Sequence, residues 1–551
     1  MVVRRSIVVV GASVAGTTAA VRARELDSDA RIVVLDRAED AGRFLRGLPY
    51  WVSGEAASLE AIRRRRADTF WDLHRIEVRS GPPVSGLDAS ARRVRAGSEA
   101  YEFTALVYAA EALPAVPPAL AGAGDVLTLG TAEDLRPATQ AAGGAGRRVA
   151  VIGGGPEAVE AADAFARAGH HVVLLTEELL LEDFSETAAR LATEGLRAAG
   201  IDVRARTGVA GFARTSPATR LTLTDGTTLD ADLVIVAAAP RPDTDVLRQA
   251  GAELNADDSV SVDEAGATSL PHVFACGASV SAPHAVSGWP VWPLPPSAAE
   301  KTAIVAGTSA AGGHARLAPV LGSMVVRAGS LVLARTGLTH EETQAFAGPD
   351  AGSVTVHGSS CERFLSASQP LSLELLYHSA SGLVLGAEAW GRDGADKRID
   401  VVALALLGGL TVDHLALADL AYAPTLGTIR DVVNVAGRVA ASAREGRARP
   451  WKAAELATAR GRVVIVDVEP ERGRVGDILD SIVMPLPDLR DRLRSLPRDR
   501  PIVFVSLTGR LAYLAARVAH QAGLRDAGYL SGGMLSWTAA GLPVKQAGES
   551  R

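Results

Sequence analysis

The sequence predicts an α/β fold that contains two nucleotide-binding units. Residues 6–37 and 148–178 share one order of features: an apolar β-branched run, a turn of small residues, an alanine-rich helical pattern and a second apolar run. This order is typical of a β-α-β unit, and its repetition predicts two Rossmann-like units in one chain. Towards the C-terminus the short apolar runs 463–466 and 502–505 alternate with helical patterns, which predicts a further α/β region.

The composition is that of an ordinary globular protein. The 551 residues are 48% apolar and 22% charged with a net charge of −6, which excludes a disordered or fibrous chain. A basic run, Arg63 to Arg66, is interpreted as a solvated helix face. The two cysteines are too few for a disulfide framework or a four-cysteine metal site, and no apolar run reaches the ~18 residues of a membrane span. We expect a cytoplasmic protein without a metal, a membrane span or a nucleic-acid partner.

Each predicted unit has a small-residue turn of the kind that binds a pyrophosphate. At such a turn the backbone approaches the anion closely and the following helix directs its N-terminus at it. The first turn reads Gly11-x-Ser13-x-x-Gly16 and lacks the middle glycine, and Asp36 ends the second strand, where a carboxylate accepts ribose hydroxyls. Two such turns, each between a strand and a helix, predict a flavoprotein that binds two dinucleotides.

The second turn reads Gly153-x-Gly155-x-x-Ala158 and matches the pattern well. Its second strand ends at Thr176, followed by Glu177 and Glu178. Two carboxylates at this position repel a 2′-phosphate, so the sequence favours NADH over NADPH.

Several further segments point to one family. They are Gly47-Leu48-Pro49-Tyr50, Leu223-Thr224-Asp225-Gly226, Ala231-Asp232-Leu233-Val234, Ala334-Arg335-Thr336-Gly337-Leu338-Thr339, Asp396-Lys397-Arg398-Ile399-Asp400, Tyr422-Ala423-Pro424 and Leu530-Ser531-Gly532-Gly533. With them the chain resembles the FAD- and NAD(P)H-dependent pyridine nucleotide–disulfide oxidoreductases. More narrowly, it is similar to coenzyme A disulfide or persulfide reductases that carry a C-terminal rhodanese domain.

The resemblance implies a domain organisation and a homodimer. An FAD domain would occupy residues 1–145 and 250–325, an NAD domain 146–249, an α+β dimerisation domain 326–447 and an α/β rhodanese-like domain 452–551. The charged and small residues from Ala441 to Trp451 are interpreted as a linker.

The resemblance also assigns cofactor contacts. The NADH contacts are Gly153, Gly155 and Glu177. The FAD contacts are Gly11, Ala12, Ser13, Val14, Ala15, Gly16, Asp36, Arg37, Val84, Ala109, Ala110, Gly277, Ala278, Ser297 and Ala298. Two segments depart from the family pattern, since Ala109-Ala110-Glu111 replaces Ala-Thr-Gly and Ala278 replaces the aspartate that binds the flavin ribitol. Loss of one charged hydrogen bond costs ~1.5–3 kcal/mol, which a contact surface as large as that of FAD can absorb.

Both cysteines that the family's chemistry needs are absent. Arg46 stands where the resemblance places the cysteine beside the flavin, and a guanidinium is no nucleophile. Ser506 stands where a rhodanese has its sulfur-carrying cysteine, and serine forms no persulfide. Cys276 ends an apolar strand and is interpreted as a buried small hydrophobe. Cys361 belongs to a segment in which Phe364 replaces the family's aromatic hydroxyl, whereas Tyr422 survives in a second such segment.

Two hypotheses remain open from the sequence. In the first, the chain is an FAD-dependent NAD(P)H oxidoreductase whose flavin reacts directly with a small molecule, a quinone or oxygen. Arg46 and Tyr422 are then the candidate catalytic residues, and Arg43, Arg46 and Trp292 the candidate substrate contacts, although Trp292 fits core packing equally well. Coenzyme A is not favoured, because Glu25 would repel its phosphates. In the second hypothesis the chain is a catalytically degenerate nucleotide-binding scaffold or sensor, which the departures from the family motifs suggest.

Overall fold

A computed structural model of the chain describes residues 4–37, 47–58, 67–123, 126–128, 144, 146–215, 218–470 and 476–545. The predicted substrate contacts Arg43 and Arg46 and the basic run 63–66 lie outside these residues. The chain divides into two compact units. The first comprises residues 1–180, 196–284 and 288–322, and the second comprises residues 181–195, 285–287 and 323–551.

The first unit is built on two parallel sheets and several small antiparallel ones. Its strands are β1 (Ser6–Val10), β2 (Arg31–Asp36), β3 (Ile76–Ser80), β4 (Val84–Asp88), β5 (Arg93–Ala96), β6 (Glu99–Glu102), β7 (Ala105–Tyr108), β8 (Leu113–Pro114), β9 (Val126–Leu127), β10 (Arg148–Ile152), β11 (His171–Leu175), β12 (Asp202–Arg204), β13 (Val209–Thr215), β14 (Ala218–Leu223), β15 (Thr228–Ala231), β16 (Leu233–Val236), β17 (Pro240–Arg241), β18 (Val273–Ala275), β19 (Ala282–Pro283) and β20 (Pro290–Val291).

Helices connect these strands along the chain as far as residue 310. They are α1 (Val14–Leu26), α2 (Leu48–Val52), α3 (Ala67–His74), α4 (Pro156–Arg167), α5 (Glu186–Ala198), α6 (Asp245–Gln249) and α7 (Pro296–Ala310). Of these, the larger part of α5 belongs to the second unit.

The first parallel sheet has the strand order β18-β7-β1-β2-β3. Strand β1 consists almost entirely of isoleucine and valine with both faces covered, as is typical of a central parallel strand. Helix α1 lies against α7, and the two backbones approach closely at Gly307, where an added Cβ would collide with the carbonyl oxygen of Ala19. The alanine-rich sequence of α1 permits this contact, since its buried face is made of small side chains.

The second parallel sheet has the order β12-β11-β10-β16-β9. Strand β9 pairs with β16, although residues 126–127 were predicted to belong to the FAD domain. At the other boundary, β17 pairs with β8, and Leu247 of α6 packs into the core beneath the first sheet. The range 146–249 stays a prediction for the NAD domain. The sequence did not indicate these short strands, because strands of two residues show no hydrophobic period.

The second unit contains one antiparallel and one parallel sheet. Its strands are β21 (Met324–Ala328), β22 (Leu331–Gly337), β23 (Ala351–Ser359), β24 (Pro370–His378), β25 (Val384–Gly391), β26 (Arg449–Trp451), β27 (Val464–Asp467), β28 (Ile482–Val483), β29 (Ile502–Val505) and β30 (Ala527–Leu530). Its helices are α8 (His340–Ala347), α9 (Ala395–Leu407), α10 (Val412–Leu417), α11 (Val432–Arg444), α12 (Ala453–Ala459), α13 (Leu489–Arg492), α14 (Arg510–Gln521) and α15 (Gly533–Ala539).

The antiparallel sheet has the order β21-β22-β25-β24-β23, with α9 and α11 packed against it. The parallel sheet has the order β26-β30-β29-β27-β28. The prediction of a linker from Ala441 to Trp451 is wrong at both ends. Residues 441–444 form the last turn of α11, and residues 449–451 form β26, an edge strand of the C-terminal sheet. Charged residues are compatible with a helix end and with an edge strand, so composition alone misleads here.

No helix within the described residues has both the length and the apolar character that crossing a membrane requires.

Candidate functional site

The first glycine turn connects β1 to α1. Gly11 has φ +100°, and a Cβ at this residue would collide with the carbonyl oxygen of Ala109. At Gly16 a Cβ would collide with the carbonyl oxygen of Gly11. Both glycines are therefore required by the close approach of β1, α1 and the end of β7. Ser13 occupies the middle position of the motif as a buried residue, and its Oγ lies 3.5 Å from the carbonyl oxygen of Ala109.

Asp36 lies beside this turn, at the end of β2. Its Oδ2 accepts a hydrogen bond of 2.6 Å from the backbone N–H of Ala12. Ser13 does not cap α1 through its side chain, so the N–H groups of the first helical turn can bind an anion. Arg37 follows as an exposed residue, and Val84 is half-buried at the start of β4. The backbone and the carboxylate therefore fit the pyrophosphate and ribose of FAD, and the predicted roles of these residues stay predictions.

The structure brings several other predicted flavin contacts together around Gly277. Its N–H donates to Thr302 Oγ1 of α7 over 2.8 Å, and a Cβ at Gly277 would lie 2.7 Å from that of Ala15. Ala110 is joined to this region, since Ser279 Oγ donates to its carbonyl oxygen over 3.1 Å. Ser297 is exposed and Ala298 half-buried in the first turn of α7.

Trp292 contacts this cluster through its indole nitrogen. Its Nε1 donates to the carbonyl oxygen of Ala278 over 2.9 Å, and the side chain is half-buried. This hydrogen bond was not predicted, because it joins two residues that no sequence motif relates. Trp292 therefore holds the backbone at Ala278, the residue that the resemblance aligns with a ribitol-binding aspartate.

The second glycine turn connects β10 to α4. Gly153 has φ +141°, and a Cβ there would collide with the carbonyl oxygen of Ala237. A Cβ at Gly155 would approach nothing closer than Glu157 Oε2 at 3.6 Å, so the backbone is open at the helix N-terminus. Such an opening fits the pyrophosphate of NAD(P)H.

Glu177 follows β11 as an exposed residue and lies over Gly208. A Cβ at Gly208 would be 2.8 Å from Glu177 Oε1, so the missing side chain makes room for the carboxylate. Thr176 is buried, and its Oγ1 lies 2.6 Å from the Cβ position of Gly154, between the strand end and the turn.

Both cysteines of the chain are buried. Cys276 has no exposed surface and belongs to the core that covers the first sheet. Burial raises the pKa of its thiol to about 12, so that the thiolate is scarce at neutral pH. Cys361 follows β23 in the second unit and is also buried.

The remaining candidates of the second unit lie on its surface. Tyr422 is exposed, and its hydroxyl donates to Glu362 Oε1 over 3.3 Å. Phe364 is exposed as well. Among the described residues, no three His, Cys, Asp or Glu side chains are grouped as a metal site requires.

The loop of Ser506 lies between β29 and α14. Ser506 is buried, and its Oγ accepts a hydrogen bond of 3.1 Å from the N–H of Ala512. The N–H of Leu507 donates to Glu469 Oε2 over 2.9 Å. Glu469 was not identified from the sequence as a residue of this loop. Its place just after β27 is the signal that could have shown it, because neighbouring parallel strands end at the same edge of a sheet. The Glu469 carboxylate thus accepts the hydrogen bond of one loop N–H group, and that N–H group is not available to an oxyanion.

Comparison with known proteins defines the class of this chain. Residues 5–297 match the pyridine nucleotide-disulphide oxidoreductase family, residues 326–432 match the dimerisation domain of the same family, and residues 452–540 match the rhodanese-like domain. Since the first match covers more than half of the chain, the protein belongs to the pyridine nucleotide-disulphide oxidoreductases. It is an FAD-dependent NAD(P)H oxidoreductase with a C-terminal rhodanese-like domain, which confirms the predicted family and fold class.

Three individual proteins are similar over most of their length. An NAD(P)H sulfur oxidoreductase (CoA-dependent) of Pyrococcus abyssi is 28% identical over 79% of this chain and 98% of its own. The reduced CoADR-RHD of Bacillus anthracis superimposes with a TM-score of 0.92 at 25% identity, covering 98% of both chains. An NAD-dependent persulfide reductase from A. fulgidus superimposes with a TM-score of 0.88 at 28% identity, covering 97% of this chain and all of its own, 100%.

Proposed function

We propose that the protein is an NADH oxidoreductase whose bound flavin reduces a small-molecule acceptor directly, without a protein thiol. The observation that supports this proposal is the state of the two cysteines. Neither is exposed, and burial raises the pKa of the Cys276 thiol to about 12. A thiol–disulfide relay needs an accessible thiolate, which neither residue supplies.

FAD, when bound, would supply the redox chemistry between NADH and the acceptor. We assign to the protein's own residues the tasks of binding, orientation and charge. Asp36 and the Gly11 turn bind the flavin nucleotide, and Trp292 fixes the backbone at Ala278 through the bond of 2.9 Å. From the family resemblance, Arg46 and Arg43 supply positive charge where a reductase has its cysteine, and Tyr422 is the second candidate for contact with substrate.

We propose NADH as the preferred reductant. Glu177 is exposed at the end of β11, and Gly208 leaves room for its carboxylate. A carboxylate at this position accepts ribose hydroxyls and repels a 2′-phosphate, as in other Rossmann-type sites.

We do not assign coenzyme A as the substrate. Arg22 is the basic residue of α1 that the resemblance aligns with coenzyme A contacts. Its Nη1 lies 2.9 Å from Glu25 Oε2, and its Nε donates to Thr308 Oγ1 over 3.1 Å. The guanidinium is therefore engaged, and the neighbouring carboxylate repels phosphate. The acceptor in this proposal is a small organic molecule, a quinone or oxygen.

We further propose that the C-terminal domain transfers no sulfur. Ser506 is buried and bonded to the helix that follows, and Glu469 occupies the N–H of Leu507. A serine hydroxyl at this position neither attacks a sulfane donor nor stores sulfur.

A cysteine-free protein tests the direct mechanism. The double variant Cys276→Ala, Cys361→Ala keeps small apolar side chains at both buried positions. We expect it to bind FAD and to oxidise NADH with menadione or dioxygen at a rate within about twofold of wild type. The visible spectrum measures bound flavin, and anaerobic bleaching by NADH measures its reduction separately from acceptor turnover.

A variant that binds and reduces flavin normally but no longer passes electrons to any acceptor would contradict the proposal, because a thiol would then be required. A wild-type protein that takes up no FAD and oxidises no NADH would instead support the degenerate scaffold.

A further inference from the structure

A cleft in the second unit has no role in the proposed reaction. Its volume is about 340 Å³, within the range of small-molecule sites. One wall comes from the end of the antiparallel sheet, with Asp350, Tyr377 and Ser379. The other walls come from the last turn of α11 and from the C-terminal domain.

The ionisable residues on the walls of this cleft, apart from Tyr377, are mostly basic. They include Arg444, Arg449, His520 and Arg525, against the single carboxylate of Asp350. Arg444 forms an ion pair of 2.5 Å with Asp413. Arg449 forms an ion pair of 2.7 Å with Glu455. Each of these two guanidinium groups is thus already paired with one carboxylate.

Arg525 and His520 differ from the other two basic residues. Neither side chain has a hydrogen bond or an ion pair with any of the described residues. His520 lies in the last turn of α14 and Arg444 in that of α11, where a positive charge complements the helix dipole. Arg525 and Arg449 lie outside helices, so the dipole does not account for their presence in the lining.

We propose that this cleft binds a phosphate-bearing small anion, with Arg525 as its principal contact. Arginine presents paired N–H donors that match phosphate oxygens, and it is less strongly hydrated than lysine. A ring nitrogen of His520 supplies a further donor at the cleft wall. Asp350 is the carboxylate of the lining, and its Oδ1 already accepts the hydroxyl hydrogen of Ser379 over 3.1 Å.

Two sources of phosphate share this chemistry. A free phosphate ion would use the basic groups alone. A phosphate ester with hydroxyl groups would also use the carboxylate of Asp350, because a carboxylate accepts hydroxyl hydrogen bonds and repels a bare anion.

Calorimetric titration of the FAD-loaded full-length protein tests the proposal. Saturating NAD⁺ is present throughout, so that phosphate cannot occupy the nucleotide turns. Inorganic phosphate and ribose 5-phosphate are titrated separately at low ionic strength, because salt screens such contacts. We expect wild type to bind at least one of them, and Arg525→Ala to weaken that binding at least tenfold. Tighter binding of ribose 5-phosphate would identify an ester, and equal or tighter binding of phosphate would identify the free ion.

Arg490→Ala is the matched control, since Arg490 is an exposed arginine of the same domain that does not line the cleft. We expect it to bind as wild type does. The proposal is overturned if wild type binds neither anion, or if Arg525→Ala and Arg490→Ala affect the binding equally. An unchanged thermal transition of Arg525→Ala shows that a loss of binding is not a loss of fold.

Discussion

We propose that Arg46 is the residue at which the chemistry of this chain departs from that of thiol-dependent reductases. From the family resemblance, its position faces the substrate side of the flavin. A guanidinium there cannot attack sulfur, but it attracts an anionic or electron-rich acceptor and stabilises negative charge that develops during reduction.

Replacing Arg46 by alanine should therefore slow the oxidative half-reaction. We expect kcat/KM for the true acceptor to fall at least tenfold, while anaerobic flavin reduction by NADH changes much less. Stopped-flow measurement of both half-reactions checks this. Equal rates for wild type and Arg46→Ala in both half-reactions would remove the residue from the mechanism. Arg46→Cys is a sharper variant, and we expect it to show no preference for coenzyme A disulfide over small disulfides.

Glu177 is expected to set the choice of nicotinamide cofactor. Wild type should favour NADH over NADPH in kcat/KM, by ~1–3 kcal/mol for a repelled charge near the surface. Glu177→Ala should reduce that preference by raising kcat/KM for NADPH. Glu253→Ala, which removes an exposed carboxylate elsewhere in the first unit, should leave the ratio unchanged. A wild-type preference for NADPH would refute this assignment.

Sequence reasoning located single residues well where local context decides their environment. Cys276 follows an apolar strand, and its burial was predicted from that context. The contact of Glu469 with the Ser506 loop was not predicted, because it depends on the pairing of β27 with β29. These two strands are neighbours in the sheet, although 34 residues separate Asp467 from Ile502 in the chain. The hydrogen bond between Trp292 and Ala278 was not predicted either, because it also joins residues that only the fold brings together.

At the scale of elements, hydrophobic period predicts long strands and fails for short ones. β1 and β10 are runs of four or more buried residues, and the sequence predicts both. β9 and β26 have two and three residues, and only pairing with a neighbouring strand defines them. For this reason the sequence prediction contains neither strand.

The contact between α1 and α7 predicts an exception to helix propensity. Alanine normally stabilises a helix by ~1 kcal/mol relative to glycine. At Gly307 we expect the opposite, because the added Cβ would collide with the backbone carbonyl of Ala19. Gly307→Ala should lower the apparent Tm, as measured by differential scanning calorimetry of the FAD-loaded protein. Ser309→Ala is the control in the same helix: it removes a buried hydroxyl without a partner among the described atoms, and should leave the Tm unchanged or raise it. A higher Tm for Gly307→Ala would show that α1 and α7 can move apart to accommodate the Cβ at little cost in stability.

His357 of β23 connects the antiparallel sheet to α15. Its Nδ1 lies 2.7 Å from Ser372 Oγ and its Nε2 3.2 Å from Ser536 Oγ. Burial lowers the pKa of His357 to about 4, below the ~6.5 of an exposed histidine. The unfolded state therefore binds the proton more readily, and the stability contribution of neutral His357 is lost as the pH falls from about 6.5 towards 4.

We expect His357→Gln, which keeps hydrogen-bonding groups, to remove this titration. Between pH 7.5 and pH 5 the apparent Tm of wild type should fall more than that of the variant. Thermal scans of both proteins at three pH values measure the difference, and all other titrating groups are common to the pair. If the apparent Tm of the two proteins changes equally with pH, the pKa of His357 is the same in the folded and the unfolded state, which would contradict this prediction.

At the scale of the whole molecule, we propose a homodimer formed through the antiparallel domain. Its surface exposes large apolar side chains, with exposures between 69% and 86%, namely Leu404, Leu417, Leu426 and Ile429. The domain match to residues 326–432 supports this assignment. Apolar side chains this exposed are typical of a surface that is covered in the assembled protein.

Ile429→Glu should therefore weaken self-association, because it would bury a charge in the dimer contact. Sedimentation velocity should show a dimer for wild type and a concentration-dependent shift to monomer for the variant. Leu479→Glu changes a half-exposed leucine of the C-terminal domain and should leave the sedimentation unchanged. If both variants sediment as wild type does, Ile429 lies outside the dimer contact.

The strand order of the first sheet has a consequence for synthesis on the ribosome. β18 pairs with β7, yet 164 residues separate Tyr108 from Val273, and the second nucleotide-binding unit lies between them. While that nucleotide-binding unit is being translated, β7 pairs with β1 alone, its other edge stays open, and α7 has not yet emerged to cover α1. An open strand edge is a template for pairing with another chain. The nascent protein should therefore depend on chaperones until about residue 310 has left the exit tunnel, and thereafter much less.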